Sequence, residues 1–227
     1  MKLKKSAFHA AFPYTLPILA GYLMLGMAYG ILMSDKGFPF YWTFIMSSVV
    51  FAGALQYASI TLLVSTFDPV TALVLAILVN IRHLFYGLSM LEKYKGFKGK
   101  PFLVFAMADE AFSINASVEP PPSVDRNAFY LWTTGLCYLY WQMASWAGHL
   151  IGGYLPDSIQ GLDFVLTALF FVMFLNQWST QANRKTLLLG VISTVIALIV
   201  FPRAQFLLGA MVLIVIGLFV FERKVRL

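Results

Sequence analysis

Three charged side chains stand where a lipid-soluble sequence has little room for them. Arg82 lies in V-N-I-R-H-L-F-Y-G, with no charge between it and Asp68 and none between Asp68 and Lys36. Further on, Asp109 and Glu110 stand side by side in M-A-D-E-A-F-S. A charge at bilayer depth costs at least roughly 2.5–3.5 kcal/mol, so it faces a partner or a water-filled cavity. One cation and two carboxyls in apolar surroundings invite pairing. Two neighbouring carboxyls in low dielectric cannot both ionise cheaply, so one keeps its proton unless Arg82 or water compensates it. That is the requirement for a proton-coupling site. Asp109 is expected to carry the proton, since Ser113 lies four residues on along the same helix face, with the other acid held ionised by Arg82. The competing structural readings are a plain salt bridge or a snorkelling side chain for Arg82, and an interfacial cap for the two acids.

Neutral polar residues surround these three in the sequence. On a helix Asn80, His83 and Gly87 share one face. Arg82 points about 160° away from Asn80, so the two can serve one ligand only if the helix is broken. His83 reads equally as a hydrogen-bonded interior residue. Gln56 follows Gly53, and a helix break there would free backbone N–H and C=O groups to hold an amino or carboxylate group. Single amides, here Gln56, Asn80, Asn115, Asn176 and Gln177, more often glue helices together. Trp and Tyr near segment ends fit an interfacial belt.

The elements that must position these residues follow from composition. Of 227 residues, 60% are hydrophobic and 11% charged, with a mean hydropathy of +0.79. Soluble domains carry about 25% charged residues. The expected fold is all-α: a polytopic membrane helix bundle over residues 1–227, one integral membrane domain. At about 20 residues per span there is room for roughly six to eight helices. The net charge of +6 gathers at the termini and one loop, which suits cytoplasmic anchoring and argues against nucleic acid. Cys137 is the single cysteine, which leaves no intramolecular disulfide and no structural zinc site. The start M-K-L-K-K resembles a signal peptide, but the apolar run continues to Met33, too long for a cleaved segment.

Hydropathy divides the chain into eight segments: about Phe12–Met33, Tyr41–Thr66, Pro69–Leu91, Pro101–Val118, Asn127–Ile151, Leu162–Trp178, Thr186–Phe201 and Gln205–Phe221. Pro13 and Pro17 fit the first turns of segment one. Glu119 and Pro120-Pro121-Pro122 stop segment four. Arg184-Lys185 marks a tight turn. Eight full spans would put the Lys93–Lys100 loop outside, against its four lysines. If segments two and four instead enter and leave on one face, that loop, Arg184-Lys185 and both termini all lie in the cytoplasm. The result is six spans plus two broken or re-entrant helices, with eight spans as the alternative. Irregular backbone at that depth requires a lined cavity. Gly26-x-x-x-Gly30 and Gly148-x-x-x-Gly152 offer close-packing faces that a partner subunit could take up.

No G-x-x-x-x-G-K-[ST], H-E-x-x-H or G-x-S-x-G occurs, so the chain supplies no phosphate loop of its own. An embedded hydrolase built on His83 and Asp109 lacks a serine in a nucleophile setting. No enzyme activity, cofactor or metal is expected.

The ordered blocks S-S-V-V-F-A-G-A-L-Q-Y-A, V-N-I-R-H-L-F-Y-G-L-S, M-A-D-E-A-F-S and L-D-F-V-L-T-A-L-F-F resemble the AzlC family, the large subunits of bacterial branched-chain amino acid exporters. The likeness runs from about Ala11 to Phe221. It implies a secondary transporter of the inner membrane, driven by protons, that exports valine, leucine or isoleucine. It also implies a small AzlD-type membrane subunit encoded separately. The stretch L-N-Q-W after segment six is more polar than the family leads one to expect, which bears on substrate choice. A passive channel for a small solute is the alternative from another functional class.

Overall fold

The computed structural model describes residues 6–64, 68–155 and 181–202, with scattered positions between 164 and 218. The N-terminal lysines, the E-R-K-V-R-L end, Asn176 and Gln177 lie outside the described residues, as do most of segments six and eight. Every element among the described residues is helical. The chain forms two compact units, Met1–Val165 and Leu166–Leu227. The first holds all the candidate site residues.

Helix α1 spans Ala7–Asp35. It begins earlier than the hydropathy boundary, so Pro13 and Pro17 lie inside the helix and not at its start. Packing carries it through: Ala11 is fully buried with Met90, Leu103 and Phe129. Short α2 (Phe40–Ile45) runs into a π-helical turn, Met46–Val50, and α3 (Gly53–Val64) follows. Then come α4 (Pro69–Met90), α5 (Lys100–Phe105), α6 (Asp109–Ser117) and α7 (Arg126–Gly152). In the second unit α8 covers Gln181–Val200. Arg184 and Lys185 therefore sit within a helix, not in a tight turn. Arg184 donates to the Trp178 carbonyl at 2.9 Å and lies over the Trp178 ring, which accommodates a charge in a helix without a turn. Among the described residues two helices, Ala7–Asp35 and Ala72–Met90, are long and apolar enough to cross a membrane.

Helices α1 and α7 run parallel in the most extensive helix contact of the first unit. Small residues allow it. A methyl group on Gly30 would overlap the Ser145 carbonyl, and one on Gly148 the Met27 carbonyl. Gly26 faces Ala144, and Gly152 faces Ile31 and Ser34. The two G-x-x-x-G faces therefore close on each other within the chain and are not left for a partner.

Segments two and four are both broken, and both fold back. Helix α6 runs parallel to α4, as three contacts in order show. Arg82 pairs with Asp109, Tyr86 stacks on Phe112 at 4.3 Å between centroids, and Lys93 donates to the Ala116 carbonyl. Lys93 also pairs with Glu119 at 2.9 Å, so the loop before α5 meets the residues after α6. The α5–α6 hairpin thus starts and ends near the Ser6 end of α1, with its tip at Ala106–Ala108. The α2–α3 hairpin comes from the opposite end. Thr43 bonds to His149 in the last turn of α7 at 2.8 Å, and Tyr138 of mid-α7 donates to the Ser48 carbonyl. Gln56 Nε2 then reaches back to the Met46 carbonyl at 2.7 Å. Two in-line helices would hold those residues about 15 Å apart. The break is at Phe51–Ala52, just before Gly53, with Phe51 in the left-handed region at φ +37°. That conformation is unusual for a bulky residue and is supported by its ring packing on Tyr138 at 4.8 Å.

Candidate functional site: the junction of two hairpin tips

The tip of the first hairpin is uncharged and closed. A break in a buried helix strands carbonyl groups, and each must find a donor. Gln56 serves Met46, Gln142 serves Ser47 at 2.5 Å, and Tyr138 serves Ser48 at 2.9 Å. The second end of the Gln56 amide accepts from Trp141 Nε1 at 2.8 Å, and Gln56 is fully buried. Gln56, expected as a ligand holder, therefore has both ends of its amide engaged in holding the break. Gly53 is required by crowding: an added methyl would sit 2.9 Å from Trp141 Cη2.

The tip of the second hairpin is charged and loosely satisfied. Asp109 and Glu110 open α6, where the helix dipole favours negative charge. Arg82 Nη1 lies 2.6 Å from Asp109 Oδ2, the two side chains being 35% and 29% exposed. Glu110 points elsewhere, and its Oε2 accepts from the Tyr22 hydroxyl at 2.6 Å. Arg82 Nε, Asp109 Oδ1 and Asn80 Oδ1 are buried without a hydrogen-bond partner among the described residues. The two acids thus have different partners, and the one in contact with Arg82 is Asp109. Asp109, expected as the proton-carrying acid, is the carboxyl that meets Arg82, and Glu110 is the one that meets a neutral hydroxyl.

The remaining sequence candidates stay on an unbroken α4. Asn80 and Arg82 therefore keep their opposed directions. His83 is half-buried and packs edge-on against Tyr86. Asn115 donates to Tyr94 and to Thr134, gluing α6 to its neighbours.

What the sequence reading missed is the layer between the tips. Tyr22 meets Trp141 edge-to-face at 5.3 Å, and Trp141 bonds to Gln56. Tyr138 touches Phe51 of one hairpin and Phe102 and Phe105 of the other. These polar-tipped aromatics fall in mid-helix, away from the ends where an interfacial belt would place them. Mid-segment position was the available signal.

The chain matches the family model described as "AzlC protein" over residues 17–155. It is 44% identical to the branched-chain amino acid transport protein AzlC of Bacillus subtilis, over 96% of this chain and 86% of that protein. An uncharacterized membrane protein of Helicobacter pylori strain 26695 is 36% identical over 97% of both chains. The inner membrane protein YgaZ of Escherichia coli is 26% identical over 70% of this chain and 65% of its own length. No solved structure matches. With its family blocks in order, and relatives named as transport and membrane proteins, the chain belongs to the AzlC family.

Proposed function

We propose that this protein exports branched-chain amino acids across a bacterial inner membrane, driven by protons. Transport of such substrates follows the name of the Bacillus relative, and the location follows the Escherichia one. The reading of the membrane arrangement is six spans with two re-entrant hairpins, one from each side. The lysine-rich loop and the N-terminal end of α1 share one end of the first unit, and the positive-inside tendency makes that end cytoplasmic. A small AzlD-type subunit belongs to this reading on family likeness alone, since the Gly faces once taken as support are used within the chain.

The observation that carries the mechanism is the separation of the two acids. Asp109 pairs with Arg82, and this pair offers unmatched donor and acceptor atoms to an amino acid's carboxylate and ammonium groups. Glu110 meets a neutral phenol and is the acid free to take and release a proton. Both lie at the tip of a hairpin, where irregular backbone lines the path between the two sides.

The test is efflux of valine, leucine and isoleucine from preloaded cells, with and without an uncoupler. Accumulation outside the cell against a gradient, abolished by the uncoupler, is expected. Efflux that only equilibrates and ignores the uncoupler would establish a passive channel instead.

A further inference from the structure

We infer that Tyr22 and Trp141 transmit the protonation of Glu110 to the first hairpin, as positioning residues that couple the two tips. This rests on the proton role proposed for Glu110. Four contacts form a continuous line across the junction. The Tyr22 hydroxyl donates to Glu110 Oε2 at 2.6 Å, and the Tyr22 ring meets Trp141 edge-to-face at 5.3 Å. Trp141 Nε1 donates to Gln56 Oε1 at 2.8 Å, and Gln56 Nε2 donates to the Met46 carbonyl at 2.7 Å. The line begins at a carboxyl group on one tip and ends in the π-helical turn of the other.

The titratable and charged groups around Glu110 are Tyr22 from α1, Arg82 and Tyr86 from α4, Cys137 from α7 and its neighbour Asp109. Arg82 is already engaged by Asp109, and Tyr22 holds the hydrogen bond to Glu110. An ionised carboxylate accepts a phenol in a short, charge-assisted bond about twice as strong as a neutral one. Once Glu110 gains a proton, that assistance is lost and the Tyr22 ring is held less firmly. On the far side there is no slack. Trp141 is packed against Gly53, where a single methyl would come within 2.9 Å of the indole. Close-packed interiors pass displacement on to their neighbours, so a shift of Tyr22 reaches the Gln56 clamp.

The experiment compares uphill efflux, driven by an imposed pH gradient, with exchange of labelled for unlabelled substrate in the same cells. Tyr22→Phe keeps the ring and removes the hydroxyl. The ratio of uphill efflux to exchange is expected to fall about tenfold, the scale of one hydrogen bond to a charged group. The pH dependence of exchange should flatten with it. Trp141→Phe keeps an aromatic ring but loses the bond to Gln56, and should lower the same ratio. The double variant should be no worse than the poorer single one, because both cut one line. A wild-type ratio and pH dependence in Tyr22→Phe at normal membrane abundance would overturn the inference, as would purely additive losses. If Tyr22→Phe fails to reach the membrane, Trp141→Phe decides by the same ratio, a wild-type value again overturning it. Wild-type protein that shows no gradient-driven efflux would instead sink the proton reading itself, before any variant is made.

Discussion

The two hairpins are built from similar parts and finished differently. Each has two helical arms and a short break, and each enters from its own end of the first unit. In the α2–α3 hairpin, three successive carbonyls at the break are capped by side chains from α3 and α7. In the α5–α6 hairpin the break is followed by two carboxyls, one of which meets Arg82 of α4 and has its other oxygen, Asp109 Oδ1, buried without a partner among the described residues. Satisfied polar networks rigidify, and partly satisfied ones leave low-cost alternatives. The first tip is a fixed wall, and the second holds the groups that can change partner.

Variants can test that contrast. The largest effect should come from Arg82→Ala, which strands Asp109. A fully buried broken pair costs roughly 3–5 kcal/mol. Because both side chains are about a third exposed, screening reduces this to about 2 kcal/mol. Export should be lost almost entirely. Adding Asp109→Asn should recover thermal stability without recovering export, and additive destabilisation would point to a snorkelling arginine.

Next is Gln56→Leu at the fixed tip, which removes partners from the Met46 carbonyl and the Trp141 indole. Each stranded buried group costs about 1–3 kcal/mol. Its thermal midpoint should fall clearly. By contrast, Glu110→Gln, which keeps the shape of its side chain, should leave the midpoint nearly unchanged and suppress uphill efflux far more than exchange. Equal effects of these two variants on stability would erase the distinction between wall and moving tip.

Gly53→Ala should be milder, about 1–3 kcal/mol from overpacking against Trp141, measured as a shift in unfolding temperature. The smallest effect lies at the base of the second hairpin. The hydrogen bond from Lys93, with the charges of Lys93 and Arg126 adding to it, holds Glu119 below the usual carboxylate range. A depressed carboxyl contributes stability above its unfolded range, and that contribution is lost as pH falls through the lowered folded value. The contribution is therefore present at neutral pH and disappears in acid. Glu119→Gln should remove that small acid dependence from thermal unfolding curves by lowering the neutral-pH midpoint slightly while leaving the acid midpoint in place.

Much of the architecture was legible before any coordinates. Apolar runs located α1, α4 and α7 to within about five residues. The charged trio stood out because its residues are costly in that setting. The errors share one cause. Arg184-Lys185 and the two G-x-x-x-G faces were read from local spacing, yet their roles depend on what lies opposite. A buried amide looks the same in sequence whether it awaits a ligand or caps a broken helix. The Trp178 carbonyl lets Arg184 stay helical, and Gly148 explains Gly30. Trp178 is only six residues from Arg184, but Gly148 lies on another helix, far from Gly30 along the chain.

By itself the sequence determined that this is a helical chain rich enough in apolar residues for a membrane, with one cation and two acids set into it. Composition and period suffice for that, because burying apolar surface and pairing every backbone group leave few other solutions. The tertiary structure decided which acid pairs with Arg82, where the two segments break, and that Tyr22, Trp141 and Gln56 lie in line between the breaks. Those outcomes rest on distances of a few ångströms between residues far apart along the chain. Hydrogen bonding and close packing act at that range, and sequence spacing alone does not encode it.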